Sequence, residues 1–171
     1  MSELARDALS LARVIQEEIP KRGKPPMDGA LPDSEQVLPI SLFLNTRGYL
    51  ERVVNQINGC YEDGWFDACA VMIRRLVETL IIESFEHYGI ANQIQSTSGD
   101  FLQLGDLIDK TLSEGSWNLT RNTKRALPKL KNIGDWSAHS RRYNAHRHDI
   151  DKVIDDLRVV TQELVYLAAL K

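Results

Sequence analysis

The chain has 171 residues, 43% hydrophobic and 26% charged, with a formal net charge of −3. That is the size and balance of one soluble globular domain, with or without an appendage. No apolar run approaches the roughly 20 residues that cross a bilayer; LVETLII at 76–82 is broken by Glu78 and Thr79. The N-terminal MSELARD lacks a basic-then-apolar leader, which predicts a cytoplasmic protein away from membranes. Two cysteines, Cys60 and Cys69, make neither a disulfide framework nor a zinc spacing, and Cys69 reads as a small core residue.

In chain order, Leu4, Ala8, Leu11, Ile15 and Ile19 recur at three- and four-residue steps, so residues 1–19 are expected to hold a docking helix. Residues 20–39 contain five of the six prolines and predict a structureless linker. The remainder, 40–171, is expected to be the main domain. A helix is predicted over about 41–58, with Leu42, Leu50, Val53, Val54 and Ile57 on one side, ending near Asn58-Gly59. A long helix should open near Gly64 and close at Gly89. Twelve of the eighteen residues from Ala68 to Phe85 are apolar and occupy nearly its whole circumference, which marks the central helix of a bundle.

Residues 92–99 predict a polar loop. Asp100 and Gln103 have capping-box spacing ahead of a short helix carrying Leu104, Leu107, Ile108 and Leu112. A further segment is expected from about Thr120 to Asn132, kinked or divided by Pro128. Asp149 reads as the N-cap of the last helix, whose Ile150, Val153, Leu157, Val160, Leu164 and Leu167 form a bundle seam. No segment alternates with period two between hairpin turns. The fold class expected is all-α, a bundle of five to seven helices.

Charge is segregated along this chain. Residues 121–148 hold eight Lys or Arg and one acid, Asp135, while the total is negative. KNIGDWSAHSRRYNAHRH at 131–148 also contains three of the four histidines. A basic surface on an acidic body attracts polyanions.

Three groups carry potential chemistry. On the central helix Arg74 and Glu78 are four apart and Arg75 is three from Glu78, so they form either an internal ion pair or the lining of a polar pocket. If the helix continues past Lys131, Asp135 can hydrogen-bond His139 and fix its tautomer; otherwise His139 anchors a loop. Trp136 is expected to pack against a neighbour. Arg141, Arg142, His146 and His148 precede the last helix. There a histidine can take the proton of an RNA 2′-hydroxyl while arginine offsets phosphate charge, or the loop merely binds phosphate. A metal site on His139, His146 and His148 lacks helical His-x-x-x-His spacing, and no metal or cofactor is expected.

RRLVE at 74–78, LKNIGDWSAH at 130–139, the basic turn and the terminal helix together resemble a prokaryotic helical family, domain of unknown function 4145. They are similar, through it, to the wider HEPN superfamily of helical bundles. The resemblance covers roughly residues 45–170. It implies a homodimeric bundle of a kind found in defence or stress systems, either a metal-independent ribonuclease or a binding module without catalysis. On the family pattern Glu78 takes the acidic position, Gly134 the glycine and His139 the histidine. Lys131 stands where arginine is usual and Asp135 where asparagine is usual. Lysine cannot clamp a phosphate bidentately, and aspartate repels one. The HEPN nuclease pattern, arginine then histidine after four to six residues, is met instead by Arg141 and His146.

The function expected is a non-catalytic module for dimerisation or for binding nucleic acid or a protein partner, with Arg74, Arg75, Glu78, Lys131, Asp135, Arg142 and His148 at the binding surface. The alternative is a metal-independent endoribonuclease with His139 and His146 as acid and base and Arg141 on the phosphate.

Overall fold

The computed structural model describes residues 37–171; the docking helix expected at 1–19 and the linker as far as residue 36 lie outside them. Among the described residues five α-helices follow one another: α1 (Gly48–Glu62), α2 (Phe66–His87), α3 (Leu104–Ser113), α4 (Arg121–His139) and α5 (Arg147–Leu167). Short 3-10 turns occur at Ile40–Leu42 and Ala91–Ile94. Among the described residues the only β-type pairing is an isolated bridge between Gln95 and Phe101. The protein is an all-α bundle.

The helix apolar on all sides is the central one: α2 packs against α1, α3, α4 and α5. Its Ile73, Leu76, Val77, Leu80 and Ile81 are fully buried, among Leu50, Val54 and Ile57 of α1 and Leu127 and Leu130 of α4. On α5 the expected seam is buried from Ile150 to Leu164, and Leu167 is half-buried. Cys69 is a buried core thiol, pushed up to about 12 first by burial and then by Cys60.

Helix ends follow local chemistry. The α1 and α2 C-termini are closed by Gly64 (φ 79°) and Gly89 (φ 69°) in the left-handed region. In each, the amide beyond the glycine reaches back five residues, Trp65 N to Cys60 O at 2.8 Å and Ile90 N to Phe85 O at 3.0 Å. At the end of α5 the same motif carries Ala169 (φ 46°) where glycine is usual, with Leu170 N donating to Val165 O at 3.1 Å.

Several boundaries differ from expectation. Leu42 lies in a 3-10 turn, and Asn45 (φ 63°) interrupts the chain before α1 begins at Gly48. Gly59 is inside α1 rather than at its end. Gln103, not Asp100, is the N-cap residue of α3, and the capping box does not form; the Asp100 carboxylate accepts from Ser98 Oγ instead. Pro128 neither ends nor divides α4, which runs on to His139. The proline is exposed, as is Lys124 one turn earlier, so its ring lies on the outer face of the helix. Asp149 is the third residue of α5 and accepts from the backbone N–H of the N-cap residue, His146, at 3.1 Å.

The last residues of the expected linker belong to the core. Val37 and Leu38 are fully buried. Buried Asn58 accepts from both their amides, at 3.2 and 3.0 Å, and donates to Leu38 O at 2.8 Å. Arg158 of α5 donates to Val37 O at 2.9 Å.

Candidate functional site

Gly134 sets the seam between α2 and α4. A Cβ there would lie 2.5 Å from Arg74 Cβ and 3.1 Å from Ala70 O, so only glycine allows this approach. The contact brings two charged faces together. Arg74 Nε donates to Asp135 Oδ1 at 2.8 Å, Lys131 Nζ to Asp135 Oδ2 at 2.5 Å, and Arg74 Nη1 to Glu78 Oε2 at 3.3 Å. The four side chains are 21–32% exposed. Lys131 also lies along α3, where Gly105 leaves room: a Cβ there would meet Lys131 Cε at 3.1 Å. Burial alone would raise the Asp135 carboxyl, but the hydrogen bonds and charges of Lys131 and Arg74 outweigh it and hold it below the usual range.

These contacts decide the two readings of Asp135. The helix does continue past Lys131, yet both carboxylate oxygens face Arg74 and Lys131, and among the described residues no hydrogen bond joins Asp135 to His139. The spacing permitted that bond. A guanidinium on the neighbouring helix, invisible to spacing, takes its place. Arg75 stays outside the network: its side chain is exposed and makes no hydrogen bond or ion pair among the described residues, while its backbone carbonyl accepts from Thr79 Oγ1.

The connector between α4 and α5 faces outward. His139 is the last residue of α4, and His139, Arg141, Arg142, His146 and His148 are all exposed. Among the described residues no hydrogen bond or ion pair engages the side chain of His139, Arg141 or Arg142. The His146 and His148 rings stack at 5.8 Å with planes 11° apart, and His148 Nε2 lies 3.1 Å from Asp149 Oδ1. Main-chain bonds hold the connector in shape. Ser140 Oγ accepts from Tyr143 N at 3.2 Å, and Asp67, in the first turn of α2, accepts from Ala145 N at 2.9 Å.

The basic stretch is not one patch. Lys129 pairs with Asp156 at 2.7 Å and Lys131 with Asp135. Arg147 lies over the Tyr61 ring, 4.6 Å from its centroid. At a rise of 1.5 Å per residue, Arg121, Lys124 and Arg125 sit roughly 20 Å or more along α4 from His139. What remains beside the histidines is Arg141 and Arg142.

Three features escape sequence reasoning. Asp67 anchors the connector although it lies far from it in the chain. Trp136, expected to pack, is 54% exposed and tilts against Tyr143 at the mouth of a groove between α4 and α5; two aromatics within a basic run were the available signal. At the far end of α2, buried Glu83 accepts from the Tyr49 hydroxyl and pairs with Arg47 at 2.8 Å, joining the start of α1 to α2. Burial raises the Glu83 carboxyl, partly offset by Arg47. Among the described residues no three His, Cys, Asp or Glu side chains converge to hold a metal ion. No described helix is long and apolar enough to cross a membrane.

The molecule is therefore a helical bundle whose middle helix is ion-paired to α4 through a glycine contact and whose last helix is entered by an exposed basic connector. The family model described as Domain of unknown function (DUF4145) matches residues 55–171, and the chain belongs to that family. The match takes in Arg74, Glu78, Gly134 and His139 and begins within α1. No curated protein and no solved structure matches the chain.

Proposed function

We propose that this protein is a non-catalytic helical module that holds RNA at the connector between α4 and α5. One observation carries the reading: Arg141 and Arg142 are exposed and without a hydrogen bond or ion pair among the described residues, in a connector whose main chain is pinned by Asp67 and Asp149. Free guanidiniums on an ordered support bind phosphate with little to give up on binding. The charges of the family pattern, Arg74, Glu78, Lys131 and Asp135, are engaged with one another and support a role in helix register. Among the described residues no carboxylate orients His139, which argues for holding over cleaving. The similarity of the motifs to HEPN bundles supports dimerisation and a place in defence or stress responses; sedimentation at micromolar concentration tests the former.

Fluorescence anisotropy with a labelled RNA across a salt series is the experiment. Affinity falls steeply with salt, and Arg141→Ala with Arg142→Ala makes the slope of log K against log salt shallower by about 1.4, at about 0.7 per lost phosphate contact. Absence of binding at low salt, or a flat salt response, rejects the proposal. A second reading, a metal-independent endoribonuclease, is favoured by the exposed imidazoles of His139 and His146 flanking Arg141. RNA cleavage in EDTA that disappears in the His139→Ala, His146→Ala double variant would establish it in place of the first.

A further inference from the structure

A groove of about 260 Å³ opens between α4 and α5 with the connector at its edge. Trp136 and Tyr143 line it, with ring centroids 5.8 Å apart and planes inclined at 59°. The buried side chains Ile133 and Val153 close it from below. Asn132, exposed and with no side-chain hydrogen bond among the described residues, stands at its edge with a donor and an acceptor. Lys152 is at the rim, 70% exposed and 3.8 Å from Asp149. The Asp149 carboxylate also lines the groove but is engaged by His146 N and His148.

An indole left more than half in water beside a second ring is a surface that gains from being covered. Tyr143 directly follows Arg142, so the second ring belongs to the same connector as the two exposed arginines, and Lys152 stands at the rim. A flat aromatic ligand attached to a phosphate chain meets both demands. We propose that this groove takes the face of an unpaired base, which makes the ligand of the connector a single-stranded RNA; the assignment rests on the function proposed above. Aromatic side chains stack on any base because every base has a π-face, so the groove selects strandedness rather than sequence. A duplex keeps those faces stacked inside and offers the groove only its backbone.

The test uses the full chain and three labelled 12-nucleotide probes: a single-stranded RNA, the same sequence as a duplex, and a strand of abasic residues that keeps the phosphates. The wild type binds the single strand more tightly than the other two. Trp136→Ala lowers single-strand affinity roughly 5- to 140-fold, the range for one lost base stack, and leaves duplex and abasic binding unchanged. Trp136→Phe and Tyr143→Phe, which keep the rings, retain most of the preference. Matching circular dichroism and unfolding curves exclude misfolding, which the exposure of Trp136 makes easy to satisfy. Equal binding of all three probes, or a silent Trp136→Ala, overturns the assignment while leaving the polyanion function intact, provided that the Arg141, Arg142 double variant weakens every probe. If no probe binds at low salt, the function itself fails and the groove serves another partner.

Discussion

Replacing Gly134 by alanine tests the contact on which the α2–α4 seam depends. The new Cβ would stand 2.5 Å from Arg74 Cβ and 3.1 Å from Ala70 O. Neither obstacle is the free end of a flexible side chain. Arg74 Cβ is fixed to the α2 backbone and Ala70 O belongs to it, so relief requires the helices to part, stretching the 2.8 Å bond from Arg74 to Asp135. Overpacking of this kind costs about 1–3 kcal/mol. Alanine in place of glycine within a helix returns about 0.8–1.0 kcal/mol. An approach of 2.5 Å, with no flexible end to give way, belongs in the upper half of that range, so the net is a loss of roughly 1–2 kcal/mol, which lowers Tm by roughly 2–8 °C for a chain of this size. Gly59→Ala is the internal control. Gly59 is also within a helix, but nothing lies within 4 Å of its added Cβ, so only the propensity gain of up to about 1 kcal/mol remains. Urea denaturation of both variants decides the matter. If Gly134→Ala is as stable as the wild type while Gly59→Ala is stabilised as expected, the close approach of α2 and α4 is refuted.

Two other substitutions probe the same scaffold. Ala169→Gly relieves a left-handed residue at the end of α5 (φ 46°) and should stabilise the fold by about 1 kcal/mol, read as a rise in the urea midpoint. Asp135→Asn leaves Lys131 without its partner and Arg74 with Glu78 alone, and should cost about 1–3 kcal/mol, between the values for exposed and buried pairs. Because the folded Asp135 carboxyl is held below its unfolded pKa of about 3.9, its contribution is complete above that range and is lost as pH falls further, through the folded value. The wild type therefore loses stability below about pH 4 more steeply than Asp135→Asn, and parallel urea curves at pH 6 and pH 3 measure the difference.

Much of the helix inventory was legible in the residues. The apolar circumference of 68–85 identified α2 as the middle of the bundle, and the steps of three and four from Ile150 to Leu164 identified the buried edge of α5. Helix boundaries were less legible, because a local breaker does not always end a helix and a tertiary contact can draw a loop into the core. Gly59 is tolerated inside α1 and Pro128 inside α4, and Val37 and Leu38 leave the linker because Asn58 and Arg158 bind their backbone. Of the candidate site, the outward-facing basic connector was expected. That Trp136 is exposed, and that Lys129, Lys131 and Arg147 are engaged with Asp156, Asp135 and Tyr61, was not.

The sequence by itself determined an all-α chain, its central helix, its family pattern and the position of the basic stretch. Each of these follows from side chains a few residues apart, whose relative directions the 3.6-residue turn sets without reference to the rest of the molecule. Only the tertiary structure decided which partner Asp135 takes, which arginines remain free and where the two aromatic rings meet. Periodicity says which residues share a helix face; it carries no information about which other helix that face meets, and Arg74 and Asp135 are 61 positions apart. Gly134 bridges the two levels, since its meaning as a contact appears only when α2 lies against it.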